Sequence, residues 1–203
     1  MSNAATETLD KLLAGNQRFV RGEQASRNFK ARRQELLAGQ KPFAIVLGCS
    51  DSRVPPELLF DQGLGDIFVI RTAGQVLEAT TIASIEYAID HLQVPLLVIL
   101  GHDNCGGVTA AVTHEGRGEG NIGVLFSKIV PSIDRARQME IPAAEFIEAV
   151  ADFNLDALAD QLFAESPIVR AAVNQGRCRI VGAKYFLGPG EVKILTPEYR
   201  PSD

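Results

Sequence analysis

The spacing of apolar positions changes character twice along this chain. Leu9, Leu12, Leu13, Phe19 and Val20 recur at helical spacing, and a second short helix over about 30–38 runs into Gly39, a natural C-cap. Both helices are strongly charged on their other faces, so they form an arm that packs over the rest of the molecule or over a partner subunit. From Phe43 the pattern turns to alternating short apolar runs and helical stretches. Strands are predicted at about 43–48, 67–71, 94–101, 177–184 and 191–196. The helix over about 78–92 places Ile82, Ile85, Ile89 and Leu92 on one face, as a crossover covering a sheet requires.

Continuous apolar strands joined by helices argue for a parallel sheet buried on both faces. Leu187-Gly188-Pro189-Gly190 separates the last two strands as a hairpin turn, which makes the edge strand antiparallel. A helical stretch over about 122–175 is expected to bend or break at Pro131, Pro142 and Pro167. The fold class is therefore α/β: one domain over 1–203, with a central, mostly parallel sheet, an antiparallel edge strand and helices on both faces. Residues 1–39 form its N-terminal helical arm and 40–203 its core. Gly118-Glu119-Gly120-Asn121-Ile122-Gly123 matches a dinucleotide fingerprint only as a string, because no strand precedes it; it is taken as a loop capping the next helix.

Composition narrows the setting. The 203 residues are 46% apolar, enough for one sizeable core, and the net charge of −5 has no basic block to suggest nucleic acid or an anionic membrane. The start of the chain lacks the order of a signal peptide, and the longest apolar runs are too short to span a bilayer. Three cysteines make a poor disulfide framework, so a reducing, cytoplasmic location is expected.

The candidate chemistry lies at strand ends. Cys49 closes the first strand, and His102 with Cys105 closes the third, which brings all three to the carboxyl edge of the sheet. Two thiols and an imidazole with no fourth protein partner make a catalytic rather than a structural zinc set. Immediately after the first ligand, Asp51 and Arg53 can pair as a guanidinium fork on a carboxylate. Cys178 is expected to be a structural thiol, His114 a helix-end residue, and His91 a solvated C-terminal-turn histidine.

Cys-x-Asp-x-Arg, with His-x-x-Cys some fifty residues later, resembles the β-class carbonic anhydrases. The similarity extends through Asp61-Gln62-Gly63-Leu64-Gly65-Asp66, Arg71-Thr72-Ala73-Gly74, Ser84-Ile85-Glu86-Tyr87-Ala88 and Gly101 through Gly107, and reaches Val181-Gly182-Ala183 and Gly190-Glu191-Val192. It implies one zinc ion per chain on Cys49, His102 and Cys105, with Asp51 and Arg53 as the catalytic dyad. Zinc lowers the pKa of bound water, and the resulting hydroxide would attack carbon dioxide to give bicarbonate and a proton. Two thiolates cancel the charge of the ion, so that water needs help; Asp51, kept ionised by Arg53, would accept its hydrogen and aim its lone pair. The resemblance also implies a substrate pocket of Gln40, Phe68, Ala73, Tyr87 and the backbone N–H of Gly106. Gln40, Phe68 and Tyr87 would come largely from a neighbouring subunit, so a homodimer or an assembly of dimers is expected. One subgroup of the family builds an inhibitory bicarbonate site with a tryptophan at the position of Val46; this chain has no Trp. Asp51, which could otherwise serve as a conditional fourth zinc ligand in a closed state, is then expected to stay paired with Arg53 and leave the zinc accessible. Hydrolysis of carbonyl sulfide or carbon disulfide, or a zinc-binding relative without catalysis, are the alternatives.

Overall fold

A computed structural model describes residues 3–199. The apolar runs become five strands: β1 (Ala44–Cys49), β2 (Ile67–Thr72), β3 (Leu96–His102), β4 (Arg179–Phe186) and β5 (Glu191–Thr196). They form one sheet in the order β2-β1-β3-β4-β5. The first four run parallel, and β5 returns antiparallel to β4 through the predicted hairpin. The strand periodicity of two splits the core. Ala44 and Val46 face one apolar cluster, while Ile45 and Leu47 face the other.

Helices α1 (Asn3–Arg21), α5 (Gly106–Thr113) and α6 (Gly120–Gln138) cover the first face, and α4 (Ala79–Asp90) and α8 (Pro167–Asn174) the second. Helix α7 (Phe146–Glu165) serves both, giving Val150 and Ala151 to one cluster and Leu155, Leu158 and Leu162 to the other. Two short helices, α2 (Phe29–Glu35) and α3 (Pro56–Leu59), flank the β2 side. Helix α1 packs on its own chain, with Leu9 and Leu12 in the core; α2 buries no residue.

Two details depart from the sequence reading. Helix α6 runs unbroken through Pro131, whose ring lies on the exposed face, so the carbonyl it strands can turn to water. Pro142 and Pro167 do mark breaks, the latter opening α8 at a position that needs no N–H. Strands β3 and β4 begin at Leu96 and Arg179, two residues later than expected. Pro95 has no N–H for the ladder, although its carbonyl takes the Arg179 N–H.

Strand order also locates the site. The chain leaves β1 for β2 on one side, then crosses back to β3 on the other. Ligands collect where crossovers diverge in this way. Gly48 pairs with Leu100, so Cys49 and His102 leave the sheet one and two residues beyond that rung.

Candidate metal centre

Cys49, His102 and Cys105 are all buried, and their ligand atoms lie within 4.8 Å of one another. The two Sγ atoms are 3.9 Å apart. A tetrahedral zinc with ordinary Zn–S bonds would need a separation of about 3.8 Å. The imidazole is set for coordination: Nδ1 lies 2.8 Å from the carbonyl oxygen of Asp103, which makes Nδ1 the donor and leaves Nε2 as the lone-pair nitrogen. That Nε2 is buried without a hydrogen-bond partner among the described residues. A buried acceptor costs free energy unless something meets it, and a cation between the sulfurs would do so.

The thiols fit the same cation. The Cys105 thiol holds the Cys49 pKa well below the usual thiol value, outweighing burial, with further help from the N–H groups of Asp51 and Gly74. The same shared hydrogen bond, then burial, pushes Cys105 up. One thiolate is thus already favoured, and a divalent ion would favour the second.

The loops are held from behind. On β2, Arg71 donates from Nε to the Cys49 carbonyl (2.8 Å) and from Nη2 to the Asp51 carbonyl (2.5 Å). Gly107 packs against the turn after β2, where a Cβ would meet the Gly74 nitrogen at 2.9 Å. Asn104 sits at φ 51°, a left-handed conformation that Asn tolerates better than most residues. Its neighbour Asp103 accepts the Leu187 N–H through Oδ1 at 2.8 Å and donates its own N–H to the Tyr185 carbonyl.

Beside the cluster, Arg53 forks onto Asp51. Nε donates to Oδ1 at 3.0 Å and Nη2 to Oδ2 at 2.7 Å, while the Arg53 backbone N–H adds a bond to Oδ1 at 2.9 Å. These bonds, led by the guanidinium, hold the Asp51 pKa down at about 2 against partial burial. Arg53 Nη2 also lies 3.4 Å from the Asn104 carbonyl oxygen.

The remaining expected site residues divide into two groups. Ala73 is exposed in the turn after β2, and Gly106 is exposed directly after Cys105, at the start of α5; both adjoin the cluster. The others do not. Gln40 is exposed and enters β1 from the end opposite Cys49. Phe68 pairs with Ile45, four residues before Cys49, which places it about 13 Å down the sheet. Tyr87 on α4 is 46% exposed, and its ring lies 6.3 Å from that of Phe68 and 5.2 Å from His91. His114 caps α5 and stacks on Phe126, and Cys178 is buried just before β4. Gly118 lies between α5 and α6, and Gly120 and Gly123 fall in the first turn of α6, so the string follows a helix and not a strand.

Sequence reasoning passed over Arg71, Glu148 and Lys184 as site residues. The signal was present for Lys184: a lysine within Val181-Gly182-Ala183-Lys184-Tyr185-Phe186 sits in a buried strand and must find carboxylates there.

Comparison with known proteins agrees with this geometry. Residues 44–192 match the family model described as carbonic anhydrase. The chain is 40% identical over 185 residues to a carbonic anhydrase of Mycolicibacterium smegmatis, covering 89% of this chain and 88% of that protein. It is also 40% identical over 187 residues to carbonic anhydrase 2 of Mycobacterium tuberculosis, covering 90% and 89%. Among solved structures, a Coccomyxa β-carbonic anhydrase in complex with acetazolamide superposes with a TM-score of 0.74 at 26% identity, over 94% of this chain and 82% of that one. A tetrameric β-carbonic anhydrase of Sordaria macrospora gives 0.73 at 25% identity, over 96% and 100%.

Proposed function

This chain belongs to the β-class carbonic anhydrases, and on that premise we propose that it hydrates carbon dioxide reversibly to bicarbonate, with one zinc ion on Cys49, His102 and Cys105. The observation that carries this reading is the unpartnered His102 Nε2 between two thiols, with a forked Asp51–Arg53 pair alongside. Zinc, when bound there, supplies a Lewis acid that brings the pKa of a coordinated water towards neutrality.

The residues of the chain do the rest. Arg53 uses both acceptor faces of the carboxylate, yet Oδ2 takes only one bond from it and keeps a lone pair. Through that lone pair Asp51 accepts the hydrogen of the attacking oxygen and turns its free electrons toward the carbon. Because Arg53 keeps Asp51 ionised, the carboxylate orients the nucleophile and does not retain its proton. Arg71 and the Gly74 N–H hold Cys49 and the Asp51 backbone in place. The N–H of Gly106, the first helical residue after Cys105, is free of the helix ladder and is available for a substrate oxygen. Ala73 closes the pocket beside it.

Gln40, Phe68 and Tyr87 complete the pocket only if a second copy brings them, so the active unit is a dimer. Support comes from β2, an edge strand whose residues Ile67, Phe68, Val69 and Ile70 are only half-buried, with Phe29, Leu58 and Leu64 exposed nearby. An apolar edge left open in this way invites pairing. With Val46 fully buried in β1 where another subgroup carries tryptophan, Asp51 stays with Arg53 and off the metal. Stopped-flow hydration of carbon dioxide, measured alongside zinc content, tests the proposal. Zinc-loaded protein that hydrates carbon dioxide no faster than buffer would refute it.

A further inference from the structure

The loop that carries two of the three ligands is tied to a charged cluster outside the catalytic site. Lys184 on β4 has a side chain only 5% exposed, and its Nζ sits 2.8 Å from Glu148 Oε2 and 2.6 Å from Asp152 Oδ1, both on α7. The other oxygen of Glu148 accepts the Asn104 backbone N–H at 2.9 Å. That peptide lies between His102 and Cys105, at the left-handed φ of 51°. The carbonyl of Asn104 faces Arg53 Nη2 at 3.4 Å. A continuous path therefore runs from Lys184 through Glu148 and the Asn104 backbone to the guanidinium that holds Asp51.

We infer that Glu148 is a positioning residue for the metal centre: anchored by buried Lys184, it locks the Asn104 turn and so sets Cys105 relative to His102. The physical argument concerns restraint. A carboxylate half-exposed on a helix would ordinarily sample several rotamers, but a buried ammonium must keep its counter-charge and so fixes Glu148 in one. The remaining oxygen is then pre-set to accept an N–H that the left-handed turn presents. Without that bond, the turn can relax toward more populated backbone conformations, which moves Cys105 Sγ off its coordination direction. Asp152 satisfies the same lysine but has no hydrogen bond to the ligand loop among the described residues, so the two carboxylates share a structural role and differ in this one. The inference rests on Cys49, His102 and Cys105 being the metal site.

The test compares Glu148→Ala with Asp152→Ala, measuring zinc affinity by competition with a chromophoric chelator and unfolding by heat. Both variants disturb the Lys184 cluster and are expected to lower Tm. Only Glu148→Ala should weaken zinc binding, by about 10- to 100-fold, as loss of an outer-shell partner typically does. Cobalt substituted into that variant should show shifted thiolate-to-metal absorption, which a loss of general stability would not produce. Should Glu148→Ala fail to fold, Glu148→Gln keeps an oxygen for Asn104 but loses the pull of Lys184, and should weaken zinc in the same direction by less. Wild-type zinc affinity in the Glu148 variants, or an equal weakening in Asp152→Ala, overturns the inference. A wild-type protein that takes up no zinc would instead sink the metal-site reading on which it stands.

Discussion

The two ends of the sheet are built on opposite plans. At the carboxyl end, β1 and β3 are buried along their whole length, and every loop carrying a ligand is bonded from behind by Arg71, Asp103 or Glu148. Here one chain completes the constellation by itself. Around β2 and α2 the same chain leaves apolar side chains half-covered, with Phe29 54% and Leu64 43% exposed. Gln40, Phe68 and Tyr87, proposed above as pocket residues, lie in this second region or at the wrong end of a strand. Metal-binding geometry tolerates only small errors, so it is held within a single covalent and hydrogen-bonded frame. A small apolar substrate needs only walls, and walls can be shared between copies.

The strongest way to break this comparison is at the metal. Cys49→Ser and His102→Ala, alone or combined in a double variant, should abolish zinc retention and bring hydration to the uncatalysed background, because each removes one of the three clustered ligand atoms. Metal analysis that finds full zinc in the double variant would show that the site is not what one chain builds. Next in size come the dyad variants. Asp51→Ala and Arg53→Ala should keep zinc yet lose on the order of 10²–10³ in kcat, the scale of removing one preorganised polar group. Arg53→Lys should fail similarly, since an ammonium cannot grip both oxygens in a plane. Near-normal turnover in Arg53→Lys would show that the fork seen at 2.7 and 3.0 Å has no orienting role.

How far these features were legible depends on how local their causes are. Cys49 and His102 could be placed at one sheet edge because an unbroken apolar run leaves little doubt about where a buried parallel strand ends. Asp51 and Arg53 were legible because their partnership spans two residues. Pro131 misled because a proline breaks a helix only where the stranded carbonyl cannot reach water, and exposure is a tertiary property. Glu148 and Arg71 were hidden for the same reason: their bonds reach 44 and 22 residues along the chain to backbone atoms, which leave no trace in residue type. Lys184 alone carried a visible signal, a cation inside an apolar run.

Subunit sharing can be tested without a structure of the dimer. A chain with His102→Ala keeps its Gln40 and Tyr87 but has no metal; a chain with Gln40→Ala and Tyr87→Ala keeps its metal but lacks its share of the wall. Each alone should be poorly active. Unfolded together and refolded at equal amounts, half the dimers would be mixed, and each would hold one complete site. Activity should then return to about a quarter of wild type, as an isologous pair with crossed contributions requires. No recovery above the average of the two parents would mean that Gln40 and Tyr87 act within their own chain or not at all.

The smallest effect expected lies far from the chemistry, where the arm meets the core. Asp61 is buried, with a side chain 1% exposed, and takes Arg18 Nε at 2.6 Å and Arg27 Nη1 at 2.5 Å. It thereby ties α1 and the segment leading to α2 onto the end of α3. Burial pushes its pKa up, but hydrogen bonds from Arg27, Arg18 and the Ala25 N–H outweigh that and hold it below the usual carboxylate range. A folded-state pKa below the unfolded one stabilises the fold above the unfolded value of about 4, and the contribution is lost as pH falls through the folded value. Asp61→Asn should therefore cost about 1–3 kcal/mol at neutral pH, because both guanidinium groups keep partial access to water while losing their charged acceptor. Its Tm deficit should begin to close near pH 4 and go on closing below it. Since both proteins would shed metal alike in acid, the difference between their melting curves isolates this one carboxylate. A deficit that stays constant from neutrality into acid would mean that Asp61 holds the arm by shape and not by charge.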